Sequence, residues 1–390
     1  MPSPVLAGRD PWRGVPVEVA VAGGVIGRIR ELPEAAVPSG RWVLPGLVDF
    51  QVNGYAGADI NRPDLGTAGV GRLVRAMHSV GVTRFCPAVC TQGHGRMASA
   101  LRTIDQACRS EPGIARAVAG IHLEGPYISP EDGPRGAHPL EHVRPPDWNE
   151  FEAFQGAAGG RIRLVTLAPE QPGAMGFIRH LVATGVVVAI GHTTAAPEAI
   201  REAVAAGARL STHLGNGAHA VLPRHPNYIW EQLAADELSA SIIVDGHHLP
   251  PSVVKTFVRA KGVERTILIS DAVALAGMPP GDYDWLGMRV TLTPDRRIGL
   301  AGTPYLAGSA LDLASSLGKV MAYAGVTLAE AVIMASANPA RLLGIEVGTL
   351  SEDGRADLVL IQTSPGTDHV EVLHTVAGGM TVWEAAGSGR

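Results

Sequence analysis

The sequence predicts an α/β fold: a (β/α)8 TIM-type barrel with a small β-sandwich domain formed from both chain ends. Eight short apolar runs recur along the middle of the chain, and the segments between several of them have helical spacing. The runs are almost continuously apolar rather than alternating, which is typical of parallel strands covered on both faces. Strands that alternate with helices in this way close into a barrel. The runs are residues 42–54, 81–91, 117–126, 162–170, 185–193, 208–216, 238–248 and 265–272.

The segments between the runs predict the helices. Residues 196–207 read APEAIREAVAAG, with apolar positions three and four residues apart, and Thr194 is the candidate N-cap. After the eighth run, residues 288–302 (MRVTLTPDRRIGLAG) predict a hairpin. Residues 309–325 (SALDLASSLGKVMAYAG) then predict the helix that closes the barrel.

The two ends of the chain have a different pattern. Residues 14–44 and 348–385 contain short strand-like stretches that are interrupted by glycine. Neither piece can bury a face alone, so we expect the two to pair in one small β-sandwich. The predicted division is therefore a sandwich from residues 1–45 and 348–390 and a barrel from residues 46–347.

Composition narrows the class of function. The 390-residue chain has a net charge of -5 and no basic run, so its charge does not favour binding to nucleic acid or to an anionic membrane. Its apolar stretches fall short of the roughly 20 residues that span a bilayer, and the N-terminus lacks the apolar core of a signal peptide. Cys86, Cys90 and Cys108 form neither a disulfide framework nor a zinc motif, and we expect core thiols. The expected protein is soluble and cytoplasmic and acts on a small molecule.

Ionisable and amide side chains lie at the carboxyl ends of the predicted strands. In a (β/α)8 barrel these ends meet on one face, where the chemistry occurs. Apolar runs otherwise exclude such groups, because burying one without a partner is costly. One histidine at a strand end is most often a core residue, whereas three imidazoles and two carboxylates on one face indicate a shared site. The residues are Gln51, Asn53, Glu124, His192, His213, His248 and Asp271.

The residue types predict a metal-dependent amide hydrolase. Two imidazoles and one carboxylate with an open fourth position, here His192, His213 and Glu124, are the ligand set of a catalytic zinc-type site. Such a metal lowers the pKa of bound water from about 15.7 to about 7 and polarises a carbonyl group. Asp271 then remains to carry the proton from the water to the leaving nitrogen. His248 remains to hydrogen-bond the carbonyl oxygen as negative charge develops there.

An ordered set of motifs resembles a known family. VLPGLVDFQVNG (43–54) resembles the first-strand signature of the amidohydrolase superfamily, and NPARLLGIEVGTLSEDGRADLVL (338–360) resembles its C-terminal signature. Seven further motifs are similar, in order and spacing, to those of the N-acetylglucosamine-6-phosphate deacetylase family. They are HLEGPY (122–127), VTLAPE (165–170), IGHT (190–193), THLGNGA (212–218), IVDGHH (243–248), ISDA (269–272) and LAGSAL (306–311).

The resemblance implies a substrate and further contacts. The reaction would be hydrolysis of the acetamido group of N-acetyl-D-glucosamine 6-phosphate, or of a close N-acetylhexosamine phosphate, to the amino-sugar phosphate and acetate. The three metal ligands and the two catalytic residues keep the roles given above. The backbone at Asn216 and Gly217, with His138 and Arg224, would contact the sugar phosphate. Arg224 would reach across from the other subunit of a homodimer.

Two departures from the family pattern bear on the site. The superfamily's His-x-His is QVN at residues 51–53, and amides are poor metal ligands beside imidazole. Other superfamily members carry a carboxylated lysine that bridges two metal ions at the end of the fourth strand, and no lysine ends the fourth predicted strand here. We therefore expect one divalent metal ion per subunit: zinc, with iron or cobalt as alternatives. Gln51 and Asn53 join the predicted substrate-binding residues. Residues 216–219 read NGAH where relatives read N-A-M, and backbone N–H groups there can still hold a phosphate.

Two other functions stay open. One is a deacylase for an N-acyl amino acid, a cyclic amide or an unphosphorylated amino sugar, which the altered loop at residues 216–219 favours. Arg135 also rivals Arg224 as the phosphate contact, and the sequence has no obvious cluster of arginines. The other is a non-catalytic assembly protein on a retained barrel. Only the loss of the His-x-His pair favours it, and the intact ligands and acid argue against it.

Overall fold

The computed structural model describes residues 3–285, 288–302, 306–364 and 366–386. Its strands, numbered in chain order, are β1 (Val5–Arg9), β2 (Pro16–Ala22), β3 (Val25–Glu31), β4 (Arg41–Pro45), β5 (Leu47–Val52), β6 (Gly54–Tyr55), β7 (Ala58–Asp59), β8 (Val82–Cys90), β9 (Ile121–Glu124), β10 (Ile162–Leu167), β11 (Val187–Ile190), β12 (Leu210–Ser211), β13 (Ser239–Ile242), β14 (Thr266–Leu268), β15 (Gly281–Trp285), β16 (Met288–Leu292), β17 (Arg297–Leu300), β18 (Leu306–Ser309), β19 (Leu358–Thr363), β20 (Val370–Ala377) and β21 (Met380–Glu384). The helices are α1 (Gly66–Ser79), α2 (His94–Ser110), α3 (Pro112–Ala117), α4 (Trp148–Ala157), α5 (Ala174–Ala183), α6 (Pro197–Ala206), α7 (Tyr228–Ala234), α8 (Pro251–Lys261), α9 (Leu313–Ala324), α10 (Leu328–Val332) and α11 (Asn338–Leu343), with a π-helical turn at Ile333–Ala337 between the last two.

Eight parallel strands form the barrel. Their order is β5-β8-β9-β10-β11-β12-β13-β14, so each strand pairs with the next one along the chain. The ring closes between its last and first members, where Val52 bridges Ala272 and the backbone N–H of Asn53 donates to the carbonyl oxygen of Ala272 at 2.9 Å. Each of the eight predicted runs contains one of these strands. The predicted (β/α)8 barrel is confirmed.

Strands from both chain ends form a second sheet. Its order is β21-β20-β19-β4-β1-β2-β3, and β4 pairs with β19 to join the N-terminal and C-terminal pieces. Buried side chains such as Val19, Val43 and Leu358 form a core of its own. The small β domain built from both ends is therefore present, with all seven strands in one continuous sheet.

Gly46 marks the passage from one sheet to the other. The first predicted run, residues 42–54, is two strands: β4 belongs to the end sheet and β5 to the barrel. At Gly46 the backbone passes so close to β8 that a Cβ atom would lie 2.2 Å from Oγ1 of Thr83. The absence of a side chain thus allows the chain to change sheets while it packs against β8.

The segment after the eighth barrel strand is larger than predicted. The hairpin at residues 288–302 is the middle of a four-stranded antiparallel sheet, β15-β16-β17-β18. Strand β15 reads GDYDW, and because of its polar residues it has no apolar run that would predict a strand. The predicted helix that follows is α9, and the Asp312 carboxylate caps its start by accepting from the backbone N–H of Ser315 at 2.8 Å.

One predicted helix start is wrong. Helix α6 begins at Pro197 after Ala196, and Thr194 does not cap it. The backbone N–H and hydroxyl of Thr194 instead donate to the Glu170 carboxylate, at 2.7 and 3.0 Å. A carboxylate from the preceding βα loop thus outcompetes the helix end for this side chain. Within the described ranges, no helix is both long enough and apolar enough to cross a bilayer.

Candidate active site

Glu124, His192 and His213 converge at the carboxyl ends of β9, β11 and β12. Oε1 of Glu124 lies 3.0 Å from Nε2 of His213 and 3.3 Å from Nε2 of His192, and the two Nε2 atoms are 3.0 Å apart. All three side chains are buried. Nδ1 of His192 lies 2.8 Å from the carbonyl oxygen of Pro134, which can only accept, so Nδ1 carries a hydrogen and Nε2 is the ring nitrogen that faces Glu124. This donor set fits one divalent cation.

The charges at this centre also suit a cation. Burial alone would raise the pKa of Glu124, but hydrogen bonds from His192 and His213 hold that pKa well below its ordinary value. Burial favours the neutral form of His213, yet the hydrogen bond and charge of Glu124 raise its pKa. The buried carboxylate is therefore stabilised by positive charge at the point where a metal ion would lie.

Three residues of the site have left-handed backbone conformations. The φ angles are +51° at His192, +28° at His213 and +47° at Asp271. Residues with a Cβ atom adopt such angles uncommonly and at a cost, and they do so mostly at functional sites. All three lie two or three residues beyond the end of a barrel strand, at the turn into the following loop. The surrounding contacts must hold these turns in place.

Asp271 lies beside the three ligands, as predicted from its position at a strand end. Burial, together with the negative charge of Glu124, raises the pKa of Asp271 to about 6. A carboxyl group with a pKa near neutrality is suited to take up a proton and return it. Oδ1 of Asp271 accepts a hydrogen bond from Nδ2 of Asn53 at 2.8 Å.

His248 is held by an aspartate that the sequence analysis did not single out. Nδ1 of His248 lies 2.6 Å from Oδ2 of Asp245, and the backbone N–H of His248 donates to Oδ1 of the same carboxylate at 2.8 Å. Burial raises the pKa of Asp245, but the hydrogen bond and charge of His248 outweigh burial and leave that pKa lowered. The Asp-x-x-His spacing in IVDGHH was the available signal.

Gln51 and Asn53 donate hydrogen bonds to the carboxylates of the site. Nε2 of Gln51 donates to Oε1 of Glu124 at 2.8 Å, and Nδ2 of Asn53 donates to Asp271. Both amide groups thus occupy the strand-end position of the superfamily's histidines, but they serve the site's own acids. Their assignment to substrate binding stays a prediction.

His138 lies against the candidate metal ligand His192 and is held as a neutral acceptor. Its ring packs edge-on against the His192 ring, with centroids 4.5 Å apart. Thr91 donates its hydroxyl to the carbonyl oxygen of Glu124 at 3.3 Å, so at 2.7 Å the same hydroxyl accepts from Nδ1–H of His138. Burial lowers the pKa of His138 to about 3. The neutral ring keeps a lone pair on Nε2, which is suited to accept from a sugar hydroxyl.

The loop at residues 216–219 packs directly on His192 and His213, two of the candidate metal ligands. The backbone N–H of Asn216 donates to the carbonyl oxygen of His213 at 2.9 Å. At Gly217, where φ is +54°, a Cβ atom would lie 2.7 Å from Nδ1 of His192. His219 then joins two loops, because its Nε2 lies 3.2 Å from Glu131 and its Nδ1 lies 3.0 Å from the Tyr228 hydroxyl. The glycine in this loop therefore allows close contact with a metal ligand.

The two candidate arginines differ in their surroundings. Arg135 donates to the carbonyl oxygen of His138 at 2.9 Å and pairs with Asp132, so it stabilises the loop that carries His138. Arg224 is exposed, and it makes no side-chain hydrogen bond or ion pair with the residues that the structure describes. Arg224 is thus the predicted site residue that no described contact joins to the others.

Two further residues support the site and were missed. The Glu170 carboxylate accepts from Thr193 and Thr194, and so holds the loop that follows His192. Sγ of Cys90 lies 2.9 Å from Oδ1 of Asn53, although the sequence analysis treated this cysteine only as a core thiol. Burial, with the nearby carboxylates, raises the pKa of the Cys90 thiol well above its ordinary value. Glu170 lies in the VTLAPE motif, whereas only tertiary structure reveals the contact of Cys90.

This chain belongs to the amidohydrolase family, whose family model matches residues 42–382. It is a hydrolase of that metal-dependent class, and the buried Glu/His/His group can bind a metal. Within the class it is similar to N-acetylglucosamine-6-phosphate deacetylase of Bacillus subtilis (strain 168), at 32% identity over 350 residues, which is 89% of this chain and 86% of the relative. It is also similar to N-acetylgalactosamine-6-phosphate deacetylase of Escherichia coli O157:H7, at 34% identity over 354 residues, or 89% and 90% of the two chains.

This chain is also similar to a solved structure of such a deacetylase. The N-acetyl-D-glucosamine-6-phosphate deacetylase of Mycobacterium smegmatis, in complex with N-acetyl-D-glucosamine 6-phosphate, has a TM-score of 0.83 and 30% identity to this chain. The match covers 94% of each chain. The resemblance that the ordered motifs predicted is confirmed.

Proposed function

We propose that this protein hydrolyses the acetamido group of N-acetyl-D-glucosamine 6-phosphate, or of a close N-acetylhexosamine 6-phosphate, to the amino-sugar phosphate and acetate. The observation that carries the proposal is the convergence of Glu124, His192 and His213 beside Asp271, a partly buried acid whose pKa is raised to about 6. The similarity to deacetylases of two hexosamine phosphates supports the substrate class.

The residues of the site account for each step of the hydrolysis. Glu124, His192 and His213 would hold a divalent cation, which would make water nucleophilic at neutral pH and polarise the acetyl carbonyl. Oδ2 of Asp271 takes up the proton of the attacking water, whose oxygen bonds to the acetyl carbon. The carbon–nitrogen bond then breaks, and Asp271 gives that proton to the leaving nitrogen. The free amine and acetic acid result, and the acid loses its remaining proton to solvent to give acetate.

His248 stabilises the oxygen of the reacting carbonyl. Asp245 lies 2.6 Å from its Nδ1 and holds the ring in place, and Nε2 carrying a hydrogen is the donor to that oxygen. Such a donor lowers the barrier as negative charge develops on the oxygen. His138, held neutral, accepts a hydrogen bond from a sugar hydroxyl. The loop at Asn216 and Gly217 receives the phosphate on the backbone N–H of Gly217, because the N–H of Asn216 is bonded to His213.

We infer that the protein is a homodimer and that Arg224 of one subunit contacts the phosphate in the other. The support is the state of Arg224, which is exposed and without a partner among the described residues of its own subunit. Val221 in the same loop is 87% exposed and Trp230 is 50% exposed, as expected of apolar side chains at an interface. Sedimentation measurements test the dimer. Arg224→Ala should raise KM for the phosphorylated substrate and leave KM for the unphosphorylated sugar unchanged.

The metal that we propose is a single zinc ion per subunit, with iron or cobalt as alternatives. Two imidazoles and one carboxylate suit all three metals. Gln51 and Asn53, which replace the usual ligands of a second ion, give their amide N–H groups to carboxylates. Elemental analysis of the purified protein should find about one equivalent. Two equivalents of metal would contradict the proposal.

The cytoplasmic location expected from the sequence stays a prediction.

A second candidate keeps the chemistry and changes the substrate. The site would act on another N-acyl compound, such as an unphosphorylated amino sugar, an N-acyl amino acid or a cyclic amide. The observation that favours it is that the Arg135 guanidinium is bonded within its own loop, to His138 and Asp132, and so is not free to bind a phosphate.

Acetate release tests both candidates. The metal-loaded protein is assayed with N-acetylglucosamine and N-acetylgalactosamine, each with and without the 6-phosphate. Removing a charge-assisted anchor should cost about 1.5–3 kcal/mol, or about tenfold to more than a hundredfold in kcat/KM. Equal values with and without phosphate support the second candidate. No acetate from any N-acetylhexosamine phosphate overturns the first.

A further inference from the structure

A short chain of hydrogen bonds links Cys90, Asn53 and Asp271. Sγ of Cys90 lies 2.9 Å from Oδ1 of Asn53, and Nδ2 of Asn53 donates to Oδ1 of Asp271 at 2.8 Å. The three residues come from the ends of different barrel strands, β8, β5 and β14. The proposed reaction assigns a role only to the last of them.

We propose that Asn53 is a positioning residue for Asp271, and that the Cys90 thiol holds the Asn53 amide in the orientation that this requires. The inference rests on the proposed function, because it concerns the acid of that reaction. It also departs from the prediction that Asn53 contacts substrate.

The orientation of the Asn53 amide follows from its two neighbours. An ionised carboxylate only accepts hydrogen bonds, so the NH2 group of Asn53 must face Asp271. The amide oxygen then faces Cys90, and a thiol is a donor that suits it. Sγ also lies 3.4 Å from Oε2 of Glu124, but the thiol has one hydrogen and the oxygen of Asn53 is the nearer acceptor.

The hydrogen bond from Asn53 gives the two carboxylate oxygens of Asp271 different roles. Oδ1 is occupied by the amide, which leaves Oδ2 to exchange the proton with water and with the leaving nitrogen. The bond also resists rotation of the carboxylate about its own axis. Reactions of this kind are sensitive to such placement, because a shift of about 1 Å costs about a hundredfold in rate.

The closure of the barrel keeps the two backbones in register. The backbone N–H groups of Asn53 and Gly54 both donate to the carbonyl oxygen of Ala272, at 2.9 and 3.0 Å, and Val52 bridges the same residue. Asp271 therefore lies next to a fixed point of β5. Only the side chains remain to be oriented, and Asn53 and Cys90 do this.

Kinetics of four variants test the proposal in the metal-loaded enzyme. Asn53→Ala should lower kcat by about tenfold to a hundredfold with KM within about twofold of the wild type, because binding does not use this contact. Cys90→Ala should lower kcat to a smaller extent, and Cys90→Ser, which keeps a hydroxyl donor, should restore it. Cys108→Ala is the matched control, since it removes a buried thiol on α2 outside the site, and it should leave kcat unchanged.

Infrared spectra of the S–H stretch provide a readout that does not depend on activity. The band that disappears in Cys90→Ser is the band of Cys90, and it should lie at lower frequency than that of a thiol without an acceptor. Asn53→Ala should shift this band upward, in the protein with and without metal. If Asn53→Ala fails to fold, the comparison of Cys90→Ser with Cys90→Ala decides in its place.

Three results would overturn the proposal: an unshifted S–H band in Asn53→Ala, a kcat for Asn53→Ala within about twofold of the wild type, or equal kcat for Cys90→Ser and Cys90→Ala. Failure of the proposed function looks different. In that case the wild type releases no acetate, while the S–H band still responds to Asn53→Ala.

Discussion

At the scale of single residues, the site depends on side chains whose backbone is left-handed and whose surroundings hold them there. His192 shows how this is achieved. Its Nδ1 bonds to Pro134, the His138 ring packs on one edge, and Gly217 lies against the ring. The His192 ring is thus fixed from several directions, so that its Nε2 faces Glu124 and His213.

Asp271→Asn should separate catalysis from metal binding. The variant keeps the shape of the side chain but cannot take up the proton of water, so kcat should fall by about 10²–10⁴-fold while the metal stays bound. Glu124→Ala and His192→Ala should instead lose the metal itself. The measurements are kcat for acetate release and metal content by elemental analysis. Activity that survives in Asp271→Asn would show that this residue has another role.

Gly217→Ala should weaken metal binding. A Cβ atom at this position would lie 2.7 Å from Nδ1 of His192, so the ring or the loop must move. Displacing a group that orients a ligand typically costs about 10–100-fold in metal affinity. Competition with a chelator measures this.

Gly23→Ala is the matched control for that variant. Its φ is +60° against +54° at Gly217, but no atom outside its chain neighbours lies within 4 Å of the added Cβ. The control therefore carries the same backbone strain without the collision. Equal metal affinity in the two variants would contradict the steric explanation.

At the scale of elements, the last helix of the barrel is tied to the last strand by one buried side chain. Asn338 begins α11, and its Nδ2 donates to the carbonyl oxygens of Val263 and Thr266 at 2.7 and 2.8 Å. These carbonyls flank the start of β14, whose far end leads to Asp271. The asparagine of the NPARLLG motif thus has a structural explanation: one amide group serves two backbone acceptors.

Asn338→Ala should destabilise the protein without changing the chemistry of the site. It leaves two carbonyl groups without their donor in a buried environment, and such a loss costs about 1–3 kcal/mol in the free energy of unfolding. Urea denaturation followed by circular dichroism measures the change. Asn149→Ala, on the exposed face of α4, is the control and should stay within about 0.5 kcal/mol of the wild type. Equal midpoints for the two variants would contradict the prediction.

At the scale of the whole molecule, the barrel and the end sheet meet at a buried histidine. His78 lies in the last turn of α1, and its carbonyl oxygen accepts from the hydroxyl of Thr375 on β20 at 2.8 Å. Burial lowers the pKa of His78 to about 4, against a smaller opposing effect from Asp357. Its Nε2 has no hydrogen-bond partner among the described residues. The folded protein therefore holds this ring neutral.

His78 should make the protein less stable in mild acid. The unfolded chain binds a proton at this ring below about pH 6.5, whereas the folded protein does so only near pH 4, so falling pH favours unfolding between these values. The loss is at most about 3 kcal/mol at pH 4. Asp49 acts in the opposite direction, because burial raises its pKa to about 7. The prediction therefore concerns a difference between variants.

The measurement compares urea midpoints at pH 7 and pH 4.5. His78→Gln should lose less stability than the wild type on acidification, by about 1–3 kcal/mol. His369→Gln changes an exposed histidine just before β20, and its stability should depend on pH as that of the wild type does. The same acid dependence in His78→Gln as in the wild type would refute the assignment.

The sequence by itself determined the barrel and the centre of the site. Apolar runs are local patterns, so the eight strands could be identified one at a time, and the residues at their ends followed from the geometry of parallel strands in a closed ring. Glu124, His192 and His213 were found in this way, and the structure brings them together. The small β domain followed because neither chain end could bury a face alone.

Only the tertiary structure decided which group each polar side chain bonds to. Gln51 and Glu124 are 73 residues apart, and Asn53 and Asp271 are 218 residues apart, yet both pairs are in contact. The same is true of Cys90 and of the close passage at Gly46, where the neighbours belong to other strands. A local pattern carries no information on such pairs, because the closure of the barrel brings their members together. The hydrogen-bond acceptors at the site then set the orientation of each amide and thiol group.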